Sequence, residues 1–223
     1  MGTLYYSRNP NPRLALAVAR HLNASVTLEW ASPFDPSQSE KFSTLNPSKL
    51  IPILVESGPP LWEADAIACR LSMMVGSNFW RMDADMPDMI RWISWGKPGF
   101  VHACDMVHFE VGTKQRYHPG PVDQAKVSAG LKLFHSSAAQ LDAHLRGRDF
   151  LLESGLSYAD FRMATFLPFN DIARLPLADY PNINRWNKNL EALPVWANPF
   201  EGLNAPELPP IPPSEQAMES TET

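Results

Sequence analysis

Three polar side chains that can donate a hydrogen bond stand close together near the N-terminus. Tyr6 and Ser7 end a short strand-like segment, and Asn11 stands between Pro10 and Pro12. Proline suits the first turn of a helix, because the N–H that it lacks would have no partner there. We therefore expect Asn11 to be the N-cap of a helix that begins at Pro12. Capping uses the side-chain oxygen of Asn11 and leaves its NH₂ group free to donate to an anion at the helix start.

A second group of chemically active side chains comes in the middle of the chain, at His102, Cys104 and His108. Cys104 and His108 are four residues apart and can meet on one face of a helix, whereas His102 and Cys104 cannot. Two ligands without a third make a poor metal site. We expect no metal here and interpret these residues as pocket lining or core.

The first eighty residues alternate strand and helix patterns, which predicts the elements that position the N-terminal donors. Strands are predicted at 4–6, 25–29, 52–55 and 61–62, and helices from Pro12, over 37–45 and over 63–75. This β-α-β-α-β-β-α order predicts a small mixed sheet flanked by helices.

From about residue 80 the pattern changes to long helical periods. Pro98-Gly99 interrupts one of these helices, so a kink is expected there. Ser157 and Asp160 form an N-cap pattern to which we assign a structural role only.

We divide the chain into an α/β domain over 1–78, an all-helical domain over 86–200 and a Pro-rich tail over 201–223. The tail is expected to be extended or mobile and to lie outside the packed core.

Composition limits the function classes. The 223 residues are 44% hydrophobic and 19% charged, which is typical of a folded globular protein. A net charge of −5 without a Lys/Arg block argues against nucleic acid or an anionic membrane as the main partner. No segment has the apolar length of a membrane span, and the N-terminus shows no secretion signal. Two cysteines form no disulfide framework, so we expect a cytoplasmic protein.

The order of these elements and four motifs resemble the cytosolic glutathione transferases. The motifs are LYYS at 4–7 with its following helix, NPSKLIPIL at 46–54, LWEADAI at 61–67 and GLSYAD at 155–160. The resemblance covers roughly residues 3 to 200. It implies a thioredoxin-like α/β N-terminal domain that binds glutathione, followed by an all-α C-terminal domain.

The resemblance implies that glutathione binds beside Pro52. In the family this proline follows a cis bond, which turns the N–H and C=O of the preceding residue, here Ile51, toward the cysteinyl backbone of glutathione. An ordinary proline at the start of an edge strand would give the same sequence pattern. Lys49 could reach the glycyl carboxylate, although many relatives have Gly-Lys or Gly-Leu where this chain has Lys49-Leu50.

The same resemblance places the γ-glutamyl end of glutathione at the start of the third predicted helix. Glu63 matches the family acid that pairs with the α-amino group, and the helix N-terminus suits the carboxylate. Ala64 replaces the usual serine, which loses one hydrogen bond, on the order of 1 kcal/mol. Asp65 is either a second contact to the ammonium or a first-turn charge that complements the helix dipole.

Family members stabilise the glutathione thiolate with a donor near the end of the first strand, since the free thiol has a pKa of about 8.5. The turn S-R-N-P-N-P-R is similar to that of the bacterial Nu-like subgroup, in which an asparagine lies near the sulfur and disulfide reduction outweighs conjugation. This similarity favours Asn11, with Ser7 and Tyr6 as alternatives.

The resemblance therefore implies an enzyme with glutathione as cosubstrate, a small apolar electrophile or a disulfide as second substrate, and a homodimeric assembly. His102, Cys104 and His108 are then expected to line the second-substrate pocket. Disulfide exchange would need no protein cysteine, because glutathione supplies both thiols. The alternative is a non-catalytic module that keeps the fold for binding or interaction.

Overall fold

The structure is a computed structural model that describes residues 2–32 and 35–212. Four short strands form one mixed sheet in the order β2-β1-β3-β4. β1 pairs parallel with β2 and antiparallel with β3, and β3 pairs antiparallel with β4. The strands are β1 (Gly2–Tyr6), β2 (Val26–Trp30), β3 (Ile53–Val55) and β4 (Leu61–Trp62). The predicted small mixed sheet is confirmed.

Three helices belong to this half of the chain: α1 (Pro10–His21), α2 (Pro36–Leu45) and α3 (Ala64–Val75). The alanine- and leucine-rich face of α1 is almost entirely buried, with Leu14 and Val18 in the main core. α3 ends at Gly76, which adopts the left-handed conformation that glycine tolerates best. The N-terminal element order is therefore the predicted one.

The prediction that Asn11 is the N-cap of α1 is wrong. The helix begins at Pro10, and Asn9 takes the extended conformation of the N-cap without a side-chain capping bond. Asn11 lies inside the first turn between Pro10 and Pro12. Both prolines fit there, because the first turn leaves its N–H groups without helical partners. The Asn11 side chain is therefore not used for capping.

The second half consists of helices and short helical turns. The α-helices are α4 (Met86–Gly96), α5 (His102–His108), α6 (Lys114–Tyr117), α7 (Gln124–His144), α8 (Tyr158–Met163), α9 (Asn170–Ala173), α10 (Pro181–Glu191) and α11 (Pro194–Ala197). One continuous core joins the two halves and contains Leu14 of α1, Phe134 of α7 and Trp186 of α10.

The kink predicted at Pro98-Gly99 is confirmed. A π-helical turn, Lys97–Val101, connects α4 to α5, and Gly99 has the non-helical angles φ −102° and ψ −109°. A second π-helical turn, Phe109–Thr113, connects α5 to α6. These turns shift the hydrogen-bond register within the helical run from α4 to α6.

The capping prediction at the start of α8 is confirmed. Ser157 and Asp160 form a capping box, and the buried Asp160 carboxylate accepts from the backbone N–H of Ser157 at 2.9 Å. The other carboxylate oxygen of Asp160 accepts from Leu151 N at 2.8 Å and from Trp186 Nε1 at 3.0 Å. This carboxylate therefore stabilises the helical half and is not available for chemistry.

Residues 201–203 form a turn, and residues 204–212 continue without regular secondary structure past the start of α1, with Leu203 and Ala205 packed against the cluster of Tyr6, Leu16 and Phe200. Arg8 donates to the carbonyls of Ala205 and Pro206 and forms an ion pair of 2.7 Å with Glu207. Arg116 of α6 donates to the carbonyl of Pro209 at 3.2 Å. The rest of the Pro-rich tail, residues 213–223, lies outside the described residues.

No helix in the described part of the chain combines the length and the apolar character that crossing a membrane requires.

Candidate functional site

Three structural features meet at one edge of the sheet. β1 and β3 run antiparallel with Tyr5 opposite Ile53, so the C-terminal end of β1 lies beside the residues that precede β3. Ile53 also stands opposite Trp62 in the β3–β4 pair, and the same register places Pro52 beside Glu63. The turn after β1, the peptide bond before Pro52 and the N-terminus of α3 therefore meet at this edge.

A cleft of about 240 Å³ opens between this edge and the helical half. The residues that line it are Asn9, Pro10, Asn11, Pro12, Leu50 and Ile51 on the α/β side, and Asp105, Phe109, Thr113 and Phe166 on the helical side. Most of this lining is apolar, and its polar residues are Asn9, Asn11, Asp105 and Thr113. The cleft is suited to an extended ligand with a polar backbone, and its apolar lining is suited to an apolar group beside that ligand.

The loop before β3 presents backbone groups to this cleft. The Ile51-Pro52 bond is cis, as the resemblance implies, and the Ile51 side chain is buried in a small cluster with Tyr5 and Phe42. Asn46 holds the loop, since its Nδ2 donates to the Leu50 carbonyl at 2.8 Å. The loop is therefore fixed on its protein side.

Lys49 lies in the same loop. Its side chain is exposed and its backbone is left-handed, with φ 57°. An exposed ammonium beside the cleft remains available to an anionic ligand, and no described contact assigns it another partner.

The N-terminus of α3 carries a strained residue. Glu63 is the N-cap residue and has φ 72° and ψ 127°, a conformation unfavourable for a residue with a Cβ. Its side chain is exposed and makes no capping bond. Ala64, which follows it, is buried. The first backbone N–H groups of α3 and the Glu63 carboxylate are therefore both available at the sheet edge.

Asp65 lies in the first turn of α3, where its charge complements the helix dipole as the second sequence interpretation has it, and it also has partners in the helical half. Its Oδ1 accepts a 2.6 Å hydrogen bond from the Tyr158 hydroxyl, and its Oδ2 accepts from Lys97 Nζ at 3.0 Å. Arg162 Nε lies 3.2 Å from the same Oδ1, an ion pair that falls short of hydrogen-bond geometry. Burial raises the pKa of Tyr158 well above its ordinary value, and the adjacent Asp65 charge adds to this. Asp65 therefore ties α3 to the helical half.

Asn11 completes this cluster. Arg162 Nη1 donates to Asn11 Oδ1 at 2.7 Å. The Arg162 side chain is only 10% exposed and that of Asp65 18%. A chain of polar contacts thus runs from α3 through α8 to the first turn of α1, where Asn11 faces the cleft.

The other two candidate donors lie elsewhere. Ser7 is buried, and its Oγ accepts from the backbone N–H of Asn9 at 3.3 Å and from Asn9 Nδ2 at 3.4 Å. Asn9 Nδ2 also donates to the Tyr117 hydroxyl at 3.2 Å. The Tyr6 ring packs in a cluster with Phe200, and burial raises the pKa of its hydroxyl. Ser7 and Tyr6 are absent from the residues that line the cleft.

The three residues expected in a second-substrate pocket are not brought together. Cys104 is buried in the main core, where burial raises the pKa of its thiol. His108 is buried against Phe166 and Phe169, with ring centroids 5.7 and 5.0 Å away. His102 is exposed. Among the described residues, none of the three lines the cleft.

The helix face that does reach the cleft carries Asp105, Phe109 and Thr113. Burial raises the pKa of Asp105, against the opposing positive charges of His102 and Arg162. The four-residue spacing of these positions could have identified this face, because residues four apart lie on the same side of a helix. Arg162 gave no comparable signal, since its partner Asp65 lies 97 positions earlier in the sequence.

Comparisons with known proteins agree on one family. A family model described as "Glutathione S-transferase, C-terminal domain" matches residues 124–187. Glutathione S-transferase D7 of Drosophila melanogaster is 25% identical over 199 residues, which cover 87% of this chain and 86% of that protein.

Solved structures share the fold. A glutathione S-transferase from Rhodospirillum rubrum F11 superposes with a TM-score of 0.81 at 21% identity and covers 97% of both chains. Ure2p in complex with glutathione superposes with a TM-score of 0.74 at 18% identity, over 89% of this chain and 97% of that one. The chain therefore has the fold of the cytosolic glutathione S-transferases, with a thioredoxin-like α/β half and an all-helical half, and its residues 124–187 match that family's C-terminal domain.

Proposed function

We propose that the protein is a glutathione transferase-like enzyme that binds glutathione along the sheet edge and stabilises its thiolate for attack on a second substrate. One observation carries this proposal: Ile51, which precedes the cis bond to Pro52, and Asn11 line one cleft, and the β3–β4 register puts the start of α3 beside Pro52. Ure2p, which shares the fold, was solved in complex with glutathione.

In this proposal the tripeptide backbone pairs with Ile51. Its γ-glutamyl carboxylate meets the free N–H groups at the start of α3, and its ammonium meets Glu63. Lys49 is placed to meet the glycyl carboxylate. The strained backbone of Glu63 fits this role, because strain of this kind is typical of residues held in place for ligand binding.

Asn11 is our proposed thiolate donor. Its side chain faces the cleft and does not cap the helix, so its Nδ2 is free to donate to the sulfur. Ser7 is the nearest alternative but is buried beneath Asn9. Tyr6 is the weaker alternative, because its ring packs in the Phe200 cluster.

The second substrate is proposed to enter against Phe109 and Phe166, which form an apolar wall opposite Asn11. An apolar electrophile and a disulfide both suit this wall. In conjugation the thiolate forms a bond to the electrophilic carbon and expels its leaving group. In disulfide reduction the thiolate attacks one sulfur of the disulfide and expels the other as a thiolate, which leaves a mixed disulfide. A second glutathione thiolate then attacks the glutathione sulfur of the mixed disulfide, which forms oxidised glutathione and expels the remaining thiolate.

We also propose a homodimer, formed through an apolar face on β4, α3, α4 and the segment between the two helices. Six large apolar side chains on this face are at least 40% exposed: Trp62, Met73, Val75, Met82, Met86 and Ile90. Exposed apolar groups at this density are typical of an interface. Domain limits of 1–78 and 86–200 and a cytoplasmic location complete the proposal.

A non-catalytic binding module is the second candidate, because Ala64 removes a hydroxyl from the α3 N-terminus and Asp65 is held within the protein. The test is retention on immobilised glutathione, followed by rates with a chloronitrobenzene and with hydroxyethyl disulfide. Retention with either rate supports the enzyme, and retention without both rates favours the module. A protein that is not retained and has neither rate would overturn both.

A further inference from the structure

We propose that Arg162 is a positioning residue that orients the Asn11 side chain, and that Asp65 acts through Arg162 rather than on the ligand. This inference rests on the proposed function, since it concerns the donor to the glutathione sulfur. It begins from a contact that crosses the two halves of the protein: Arg162 Nη1 donates to Asn11 Oδ1 at 2.7 Å.

The direction of this hydrogen bond decides which end of the Asn11 amide faces the cleft. A guanidinium has only donors, so it can bind the oxygen of a carboxamide but not its NH₂ group. With Oδ1 held by Arg162, Nδ2 points away from Arg162, because the two atoms diverge from the same carbon within the amide plane. Asn11 lines the cleft, and its NH₂ group is therefore the end left for a ligand atom.

Arg162 is itself fixed on its other side. Asp65 Oδ1 lies 3.2 Å from Arg162 Nε, and the same oxygen accepts the Tyr158 hydroxyl. Lys97 holds the second oxygen of Asp65 at 3.0 Å. Because α3, α8 and the turn after α4 all contribute, the guanidinium has little freedom to turn away from Asn11.

The orientation of the Asn11 amide decides whether it attracts or repels a thiolate in the cleft. A rotated Asn11 amide would present the lone pairs of Oδ1 to a thiolate, which repels the negative charge and raises the pKa of the thiol. The amide held by Arg162 presents N–H groups, and the adjacent cation polarises them further. Arg162 therefore favours the thiolate without touching it.

A double-mutant cycle tests this mechanism. In the Arg162→Gln variant we expect kcat/KM to fall roughly ten- to hundredfold, with KM for glutathione changed less than about threefold. The pKa of the bound thiol, measured from thiolate ultraviolet absorbance, should rise by about one unit. In the Asn11→Ala background, Arg162→Gln should change kcat/KM less than about twofold and the pKa of the bound thiol by less than about 0.3 unit, because the residue through which it acts is absent.

The pKa of the bound thiol is measured from thiolate absorbance and needs no turnover. The double-mutant cycle can therefore be completed even if the double variant turns over too slowly to measure. If Arg162→Gln alone is unstable, its combination with Asp65→Asn serves as the second variant, because it removes both charges of the Arg162–Asp65 ion pair together. Arg185→Gln is the matched control, because Arg185 is another hydrogen-bonded arginine of the helical half, where it donates to the carbonyls of Leu145 and Arg148, and it lies outside the cleft. It should leave the pKa of the bound thiol unchanged.

An equal effect of Arg162→Gln with and without Asn11 would overturn the inference, as would an unchanged pKa of the bound thiol. Failure of the proposed function looks different, because the wild-type protein would then neither be retained on immobilised glutathione nor turn over. The Arg162→Lys variant keeps a positively charged donor at this position. If it recovers at least half of the kcat/KM lost in Arg162→Gln, this supports a role of the donor and the charge of residue 162 rather than of its side-chain volume.

Discussion

Tyr158 and Asp65 join the two halves of the protein through a 2.6 Å hydrogen bond from the tyrosine hydroxyl to the carboxylate. Tyr158 is the first residue of α8 and is fully buried, whereas Asp65 belongs to the first turn of α3. The contact lies beside the proposed glutathione site, so it couples the packing of the halves to the shape of the cleft.

The first prediction concerns this hydrogen bond. Tyr158→Phe should lower the free energy of unfolding by about 2 kcal/mol, because a hydrogen bond to a charged group is lost while Asp65 keeps Lys97 and Arg162. Urea unfolding at pH 7 measures this. Tyr180→Phe is the control, since Tyr180 donates from an exposed site to the carbonyl of His135, and it should cost less than about 1 kcal/mol. Equal losses in the two variants would contradict the prediction.

The second prediction separates the two ends of the Asn11 side chain. Asn11→Asp should keep thermal stability, because either carboxylate oxygen can accept the hydrogen bond from Arg162. It should lose most turnover in a glutathione-dependent assay, because the donor is gone and a negative charge opposes the thiolate. Melting temperature and kcat/KM measure the two effects. A parallel fall in both would leave Asn11 with a structural role alone.

Much of the fold could be predicted because its signals are local. The element order of the first half, the kink at Pro98-Gly99 and the capping box at Ser157 each depend on residues within a few positions of one another. The first residue of α1 could not be predicted in this way. Pro10 and Pro12 both suit a first turn, and the sequence does not say which of them begins the helix.

Some features of the candidate site could also be predicted, because they lie within short sequence motifs. The cis bond before Pro52 and the position of Glu63 followed from motifs that the resemblance supplied. The role of Asp65 could not be found in this way, because its partners Tyr158 and Arg162 are distant in sequence and their meeting depends on how α8 packs against α3. Cys104 is buried in the core. This could not be predicted, because residue spacing alone does not show which face of its helix points toward the core.

The third prediction concerns backbone strain at Glu63, which has φ 72°. Glu63→Gly should raise the free energy of unfolding by about 1 kcal/mol, because glycine adopts this conformation without a steric cost. The same variant should weaken glutathione binding by about tenfold, since the proposed partner of the ammonium is removed. Chemical denaturation and calorimetric titration with glutathione measure the two quantities.

Glu63→Gln is the matched variant for that experiment. It keeps a side chain on the strained backbone and removes only the charge, so its stability should stay near that of the wild type while its glutathione affinity falls. Stabilisation by Glu63→Gln as large as that by Glu63→Gly would show that charge, and not the backbone, controls stability at this position.

The fourth prediction is a loss of stability at acid pH that originates at His108. Burial lowers the pKa of this histidine to about 4, with Arg116 lowering it further and Asp171 opposing. The unfolded chain takes up this proton near pH 6.5, whereas the folded protein does so only near pH 4. The unfolded state therefore binds more protons in this window, and stability falls as the pH drops through it, by up to about 3 kcal/mol from this group.

His108→Leu should remove this part of the pH dependence while keeping stability at pH 7, because leucine fits the apolar surroundings of Phe166 and Phe169. Among the described residues His108 Nδ1 has no hydrogen-bond partner that the substitution would leave unpaired. Urea unfolding at half-unit steps from pH 7 to pH 4 measures the slope, with the exposed His118→Gln as control. The wild type and the control should lose stability along the same curve, and His108→Leu should lose about 3 kcal/mol less by pH 4. Three superimposable curves would mean that the buried histidine is protonated in the folded protein well above pH 4.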